Sequence, residues 1–331
     1  MHPDTKEIQI VETGLRQGAG QFAEDVLKGL SSKKKRLPSR YFYDEKGSRL
    51  FEEIMKLDEY YLTNCEWDIF RKHKQDFLDL LQGEAFHLVD LGAGDAQKTR
   101  VLLNHFSSQN AKYDYVPIDI NRDILEELGQ LLAEEIPGLN TIPILAEYFD
   151  ALDWIGKNQS GRKLVLFMGS NIGNFSKAGA AVFLTRMCRV MNPGDLLLIG
   201  VDLKKDPRQI LRAYDDSKGV TARFNLNLLE RINRELGGDF EIDNWRHYAN
   251  YNPINGAVKS YLISQIDQKV TINSLKKTFS FDAFEAIHTE YSYKYTLKEI
   301  ELLADNCGFV RLENFVCQQA GFVDSVWRVR G

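Results

Sequence analysis

The stretch Phe86-His87-Leu88-Val89-Asp90-Leu91-Gly92-Ala93-Gly94-Asp95 is an apolar run that ends in two closely spaced glycines and an acid. A strand buried on both faces reads as such a run, and the chain must then turn sharply into a helix. Glycine at that turn lets the backbone approach a ligand that a side chain would hold off. These ten residues therefore favour a doubly wound, mostly parallel sheet with a ligand site at a strand end.

The rest of the pattern fits that frame. Helical spacing resumes through Lys98, Val101, Leu102 and Phe106. Strands are expected at 113–120, with Asp119 near the end, and at 141–146, 163–169 and 195–201, with helices over 124–136 and up to about 191. Strands alternating with helices of roughly 10–15 residues imply parallel pairing. The alternation breaks over 204–285, where a helix at 223–236 precedes strand-like runs at 258–265 and 269–281. A strand at 289–295, a helix at 297–307 and strands at 310–317 and 323–329 then close the pattern. This layout resembles the class I methyltransferase (Rossmann-like) α/β fold. It predicts a cofactor domain of 20–203 plus 286–331 and an inserted, smaller α+β substrate-binding domain at 204–285.

Composition excludes several function classes. A net charge of −5, with both signs mixed along 331 residues, argues against a nucleic-acid binder. Lys33-Lys34-Lys35-Arg36 is the one basic run and reads as a solvated loop. Cys65, Cys188, Cys307 and Cys317 show neither CxxC pairing nor metal spacing with the six histidines, so we expect reduced thiols, no metal and a cytoplasmic protein. No run approaches the roughly 18 apolar residues of a membrane span. Met1-His2-Pro3-Asp4 does not read as a signal peptide.

The glycine turn discriminates among cofactors. Gly92-Ala93-Gly94-Asp95-Ala96-Gln97 lacks the third glycine of a dinucleotide fingerprint, and no phosphate loop is present. Asp119 is placed to accept from a ribose diol, as in nicotinamide enzymes and in S-adenosylmethionine sites alike. Asp95 beside the glycines suits a cationic amino-acid group better than a diphosphate. These residues favour S-adenosylmethionine and leave open a nicotinamide oxidoreductase or a tight turn without a ligand.

Further segments carry a more specific likeness. They are Leu37-Pro38-Ser39-Arg40-Tyr41-Phe42-Tyr43-Asp44, Leu57-Asp58-Glu59-Tyr60-Tyr61-Leu62-Thr63 and Gly169-Ser170-Asn171-Ile172-Gly173-Asn174. Downstream come Ala213-Tyr214-Asp215-Asp216, Asn233-Arg234-Glu235-Leu236 and Thr289-Glu290-Tyr291-Ser292-Tyr293-Lys294-Tyr295. From about residue 20 onward the chain resembles the histidine-specific Nα-methyltransferases of ergothioneine biosynthesis. The resemblance implies threefold methylation of the α-amino group of L-histidine, giving hercynine. It implies cofactor contacts from Tyr43, Gly92, Lys98, Asp119, Glu147, Tyr148 and Gly169. It gives Tyr60, Asn174 and Tyr214 to the substrate's amino and carboxylate groups, and Glu290 and Ser292 to its imidazole. The segment 37–65 is expected to contribute to the active site, with Tyr43 and Tyr60 as catalytic phenols.

Two departures stand out. The family commonly has Asp-Phe where this chain has Glu147-Tyr148, and methionine where it has Ser260, which makes Ser260 a candidate pocket residue. Simpler roles compete: Tyr60 as a core aromatic, Asn174 as the cap of the next helix, Glu290 as a solvent-facing acid. Glu290 and Ser292 share one strand face, while Tyr291, Tyr293 and Tyr295 share the other and read as core. The expected partner is a small amino acid acted on by a monomer, with no nucleic acid or membrane involved. The alternatives are the same chemistry on another small amine or amino acid such as tryptophan, or a non-catalytic cofactor-binding protein.

Overall fold

A computed structural model describes residues 9–13, 19–319 and 321–331. Met1-His2-Pro3-Asp4, read above for a leader, lies outside the described residues. The chain divides into two compact units. The first holds Asn64–Leu203 and Tyr295–Gly331 with the described residues before 16; the second holds the described residues of 16–63 and Lys204–Lys294.

The first unit is built on one sheet. Its strand order is Val11–Glu12, Ile144–Leu145, Tyr113–Asp119, Phe86–Leu91, Arg162–Phe167, Leu196–Asp202, Phe322–Val329, Phe309–Cys317, with Asn140–Thr141 beside Tyr113–Asp119. All pair in parallel except Phe322–Val329, which runs antiparallel to both neighbours. The expected strand at 141–146 is two short pieces separated at Ile142-Pro143, because proline has no N–H for the ladder. Phe86–Leu91 has the strand that follows it on one side and Arg162–Phe167 on the other. The order thus reverses at its carboxyl end, where a wound sheet opens a ligand crevice. The glycine turn sits there.

The second unit packs helices on a three-stranded antiparallel sheet of Trp245–Asn252, Ala257–Ser264 and Ala286–Tyr293. Helix Glu45–Met55 starts from Asp44, whose carboxylate accepts from the Gly47 amide at 2.7 Å. Helix Val220–Leu236 is bounded by left-handed Gly219 and Gly237, and Asp216 takes its Val220 and Thr221 amides at 2.9 and 2.7 Å. Phe22, Val26 and Leu30 join Leu50, Leu228, Ile232, Leu262 and Ile287 in one core.

Four expectations change. The run at 269–281 is a hairpin, Gln268–Ile272 and Lys277–Phe281, because Lys276 takes a left-handed turn conformation between them. The strand expected at 289–295 is Ala286–Tyr293, and it pairs in the smaller sheet. That strand and the described residues of 16–63 therefore group with 204–285 rather than with the cofactor domain, because the core that buries them is the second unit's. Tyr295 is buried as expected, but Tyr291 and Tyr293 are half-exposed. They extend an aromatic row with His288 and Tyr261 on the sheet face away from Ser260.

Leu228 has no solvent exposure in the helix that carries this core. Leu228→Ala is expected to destabilise the protein by about 2–5 kcal/mol, the cost of the lost transfer energy plus the cavity. Urea unfolding followed by fluorescence measures it.

Candidate active site

In the first unit the glycine turn is drawn close by its neighbours. The amides of Gly92 and Ala93 donate to the Ile118 carbonyl at 2.8 and 3.0 Å. Asp119 accepts from the Gly94 amide at 3.0 Å and from the Asn121 amide at 2.9 Å, so its carboxylate braces the turn while keeping spare lone pairs. Burial raises its pKa, against those bonds. Gly92 has φ +78°, and a side chain there would meet the Tyr148 hydroxyl at 3.0 Å. Tyr148, opening the helix Tyr148–Asn158, thus lies against the turn, with its ring edge-on to Phe167. Glu147 is the half-buried residue just ahead of that helix.

Asp90 faces inward. It accepts from Thr99 Oγ1 at 2.7 Å and from the Tyr115 hydroxyl at 3.1 Å, and burial pushes its pKa up to about 6. It joins strand to helix rather than facing a ligand. Asp95 takes the Gln97 amide at 3.1 Å, occupying a loop N–H that a diphosphate would need.

The structure reveals a charge cluster that sequence reading missed. Glu66, on helix Tyr61–Asp79, has no solvent exposure. Its carboxylate accepts from the Gly169 amide at 2.5 Å and from the Lys98 ammonium. Burial disfavours the Lys98 charge, but Glu66 opposite it holds the ammonium pKa above its ordinary value. Lys98, implied as a cofactor residue, thus spends one donor on Glu66. Asp324 is equally buried, and neither carboxyl oxygen has a hydrogen-bond partner among the described residues. Burial and then the Glu66 charge raise its pKa well above the ordinary carboxylate value, with Lys98 pulling the other way. Gly200 leaves room for both acids: a side chain there would fall 2.2 Å from Glu66 Oε1.

Gly169 (φ +70°) and Ser170 (φ +61°) are both left-handed, and the Asn171 side chain lies near both Gly92 and Gly169. Asn174, exposed, ends the short turn Asn171–Asn174. It does not cap the next helix; Ser176 does, accepting from the Gly179 amide.

The second unit gathers the remaining candidates. Tyr214 and Ser292 are buried, with their hydroxyls 2.8 Å apart. Glu290 shares the Ser292 face and lies directly across from Ser260 in the ladder. Burial pushes the Glu290 carboxyl up to about 7, with Lys294 pulling the other way. Tyr43 and Tyr60 both stand edge-on to Phe51, at 5.5 and 6.1 Å. Lys294, unremarked in the sequence because a strand-end lysine reads as solvated, is fully buried against Tyr214 and Ser292.

Gly200→Ala should push Glu66 aside, strand the Gly169 amide and cost about 1–3 kcal/mol. Chemical denaturation measures the loss, and S-adenosylhomocysteine affinity should fall in the same variant.

The description "Histidine-specific methyltransferase, SAM-dependent" fits residues 22–329. The histidine N-alpha-methyltransferase of Mycobacterium tuberculosis is 38% identical over 287 residues, covering 86% of this chain and 88% of that protein. Ergothioneine biosynthesis protein 1 of Neurospora crassa is 32% identical over 289 residues, 85% of this chain and 32% of the longer relative. An L-tryptophan methyltransferase of Psilocybe serbica is 30% identical over 313 residues, covering 86% of each.

Proposed function

Because the chain belongs to the family of SAM-dependent, histidine-specific methyltransferases, we propose that it methylates the α-amino group of L-histidine, successively, to the trimethylated product. The observation that carries this reading is the polar group of half-buried Glu290 and buried Ser292 on one strand face, with the buried Tyr214 hydroxyl 2.8 Å from Ser292 Oγ. A carboxylate and a hydroxyl two residues apart suit a ring that donates from one nitrogen and accepts at the other. An apolar pocket for leucine or phenylalanine would leave these groups unpaired, which discriminates far better than shape.

S-adenosylmethionine supplies a methyl group on a cationic sulfur. The turn fits it: Gly92 and Gly94 keep side chains out, Asp119 keeps acceptor capacity for the ribose diol, and Asp95 disfavours a diphosphate. Gly169 and Lys98, both held by Glu66, complete that set with Glu147 and Tyr148, while Tyr43 is assigned to the cofactor by the family likeness alone. Holding two reactants in line contributes up to ~7–11 kcal/mol, so most of the rate is assigned to positioning.

An α-amino group of pKa about 8 arrives largely protonated near neutrality. Tyr60 and Tyr43 are assigned to orient the amine and pass its proton to water. Asn174 offers an amide grip that survives rotation of the amine between methylations. Aromatic faces tolerate the final fixed cation through contacts worth roughly 0.5–2 kcal/mol. Ser260, opposite Glu290, makes the ring pocket roomier than methionine would. The reading makes the partner a small amino acid and places the chain in the cytoplasm as a monomer.

S-adenosylhomocysteine release should depend on added histidine, and its independence from every amino acid would overturn the reading. Because the Glu290 carboxyl sits near 7, its ionised, accepting form grows as pH rises from 6 to 8, while the free imidazole loses its proton over the same range. Histidine affinity with S-adenosylhomocysteine present should therefore rise with pH. Glu290→Gln should flatten that rise and cut kcat/KM for histidine at least about 100-fold. Calorimetry across the pH series checks it.

A further inference from the structure

The strand Ala286–Tyr293 changes phase once along its length. Ile287 pairs with Leu262, and both lie in the core with Leu228 and Ile232 of the helix Val220–Leu236. His288 pairs with Tyr261 on the opposite face, where their rings meet. Strict alternation from Ile287 would then put Thr289, Tyr291 and Tyr293 on the core side and turn Glu290 and Ser292 away from it. The ladder instead skips Thr289: Glu290 is opposite Ser260, and Tyr291 is opposite Lys259. One extra residue in a strand reverses the facing of everything after it. Glu290 and Ser292 thus face the core side because Thr289 is a bulge.

Two sets of bonds hold that bulge. At His288 the amide donates to the Lys35 carbonyl at 3.0 Å, and the carbonyl accepts from the Leu37 amide at 2.9 Å. Thr289 is 2% exposed and donates its hydroxyl to Asn225 Oδ1 at 2.9 Å. Asn225 has no solvent exposure, and its Nδ2 donates to the Thr221 carbonyl one turn earlier at 3.0 Å, which aims its oxygen at the strand. Asparagine is a poor residue for a helix interior, and a buried amide is costly unless bonded. We propose that Asn225 is a positioning residue: by anchoring Thr289 it holds the bulge that turns the far half of the strand over. The inference goes beyond the assignment of Glu290 and Ser292 to the substrate and rests on that reading only for its kinetic readout.

The test compares Thr289→Val, which keeps the shape and removes the donor, with Thr289→Ser, which keeps the donor, and with Asn225→Ala. Amide hydrogen exchange over residues 286–293 reads the anchor without any substrate. Thr289→Val and Asn225→Ala should exchange about tenfold or more faster there, while Thr289→Ser stays within about twofold of wild type. Exchange in the strand Phe86–Leu91 should not change, which separates a lost anchor from general destabilisation. In the first two variants KM for histidine should rise about tenfold or more, with a smaller change in kcat and S-adenosylhomocysteine affinity kept within about twofold. Thr289→Val carries the test if Asn225→Ala folds poorly. A folded Thr289→Val with wild-type exchange over 286–293 overturns the inference, as does Thr289→Ser behaving like Thr289→Val. Faster exchange with an unchanged KM for histidine overturns the positioning role. A wild type that turns over no histidine overturns the substrate reading, and exchange alone then decides the anchor.

Discussion

The buried carboxylate of Glu66 bonds to the Gly169 amide and the Lys98 ammonium, and so ties the helix Tyr61–Asp79 to the end of one strand and to the turn after another. An ion pair with no exposed acid carries a desolvation cost of several kcal/mol per charge, offset only when every lone pair finds a partner. Each Glu66 oxygen accepts one such bond, from the Gly169 amide and from the Lys98 ammonium. Asp324 beside it has its pKa raised by burial and by the Glu66 charge. Two left-handed residues at the strand end, Gly169 and Ser170, are sustained by this bond and by the Ser170 hydroxyl accepting from the Asp202 amide.

The second unit repeats the device. Lys294 is buried where a hydrophobic residue would cost less, and its donors are spent on Tyr214 and Ser292. Each unit thus pairs a lysine with buried partners: half-buried Lys98 with Glu66, and buried Lys294 with Tyr214 and Ser292. In neither case is burial of a charge an efficient route to stability. The return in the first unit is in orientation, a backbone turn held at Gly169.

Much of this was legible in the sequence because period and punctuation are local signals. The wound sheet follows from apolar runs ending in Gly92, Gly94 and Gly169, and its helices from apolar spacing such as Val101, Leu102 and Phe106. Glu290 and Ser292 on one face follow from a two-residue period, which the bulge between His288 and Glu290 leaves intact. What escaped the sequence depends on long-range pairing. Nothing local says that Ala286–Tyr293 pairs in the smaller sheet, or that residues 22–57 share a core with the helix Val220–Leu236. Glu66, Asp324 and Lys294 are charged residues in ordinary amphipathic contexts, and only tertiary packing shows that they are buried. Tyr291 and Tyr293 were misread because an alternating aromatic pattern is the same whether its face meets a core or solvent.

The central claim is that the methyl group goes to the α-nitrogen of histidine and not to its ring. Supplying S-adenosylmethionine with an isotopically labelled methyl group and following the histidine product by NMR tests it directly. The account predicts label on the α-nitrogen, accumulating through successive methylations, with both ring nitrogens unmodified. Label on the imidazole, or no transfer to histidine while another amino acid is labelled, would contradict it.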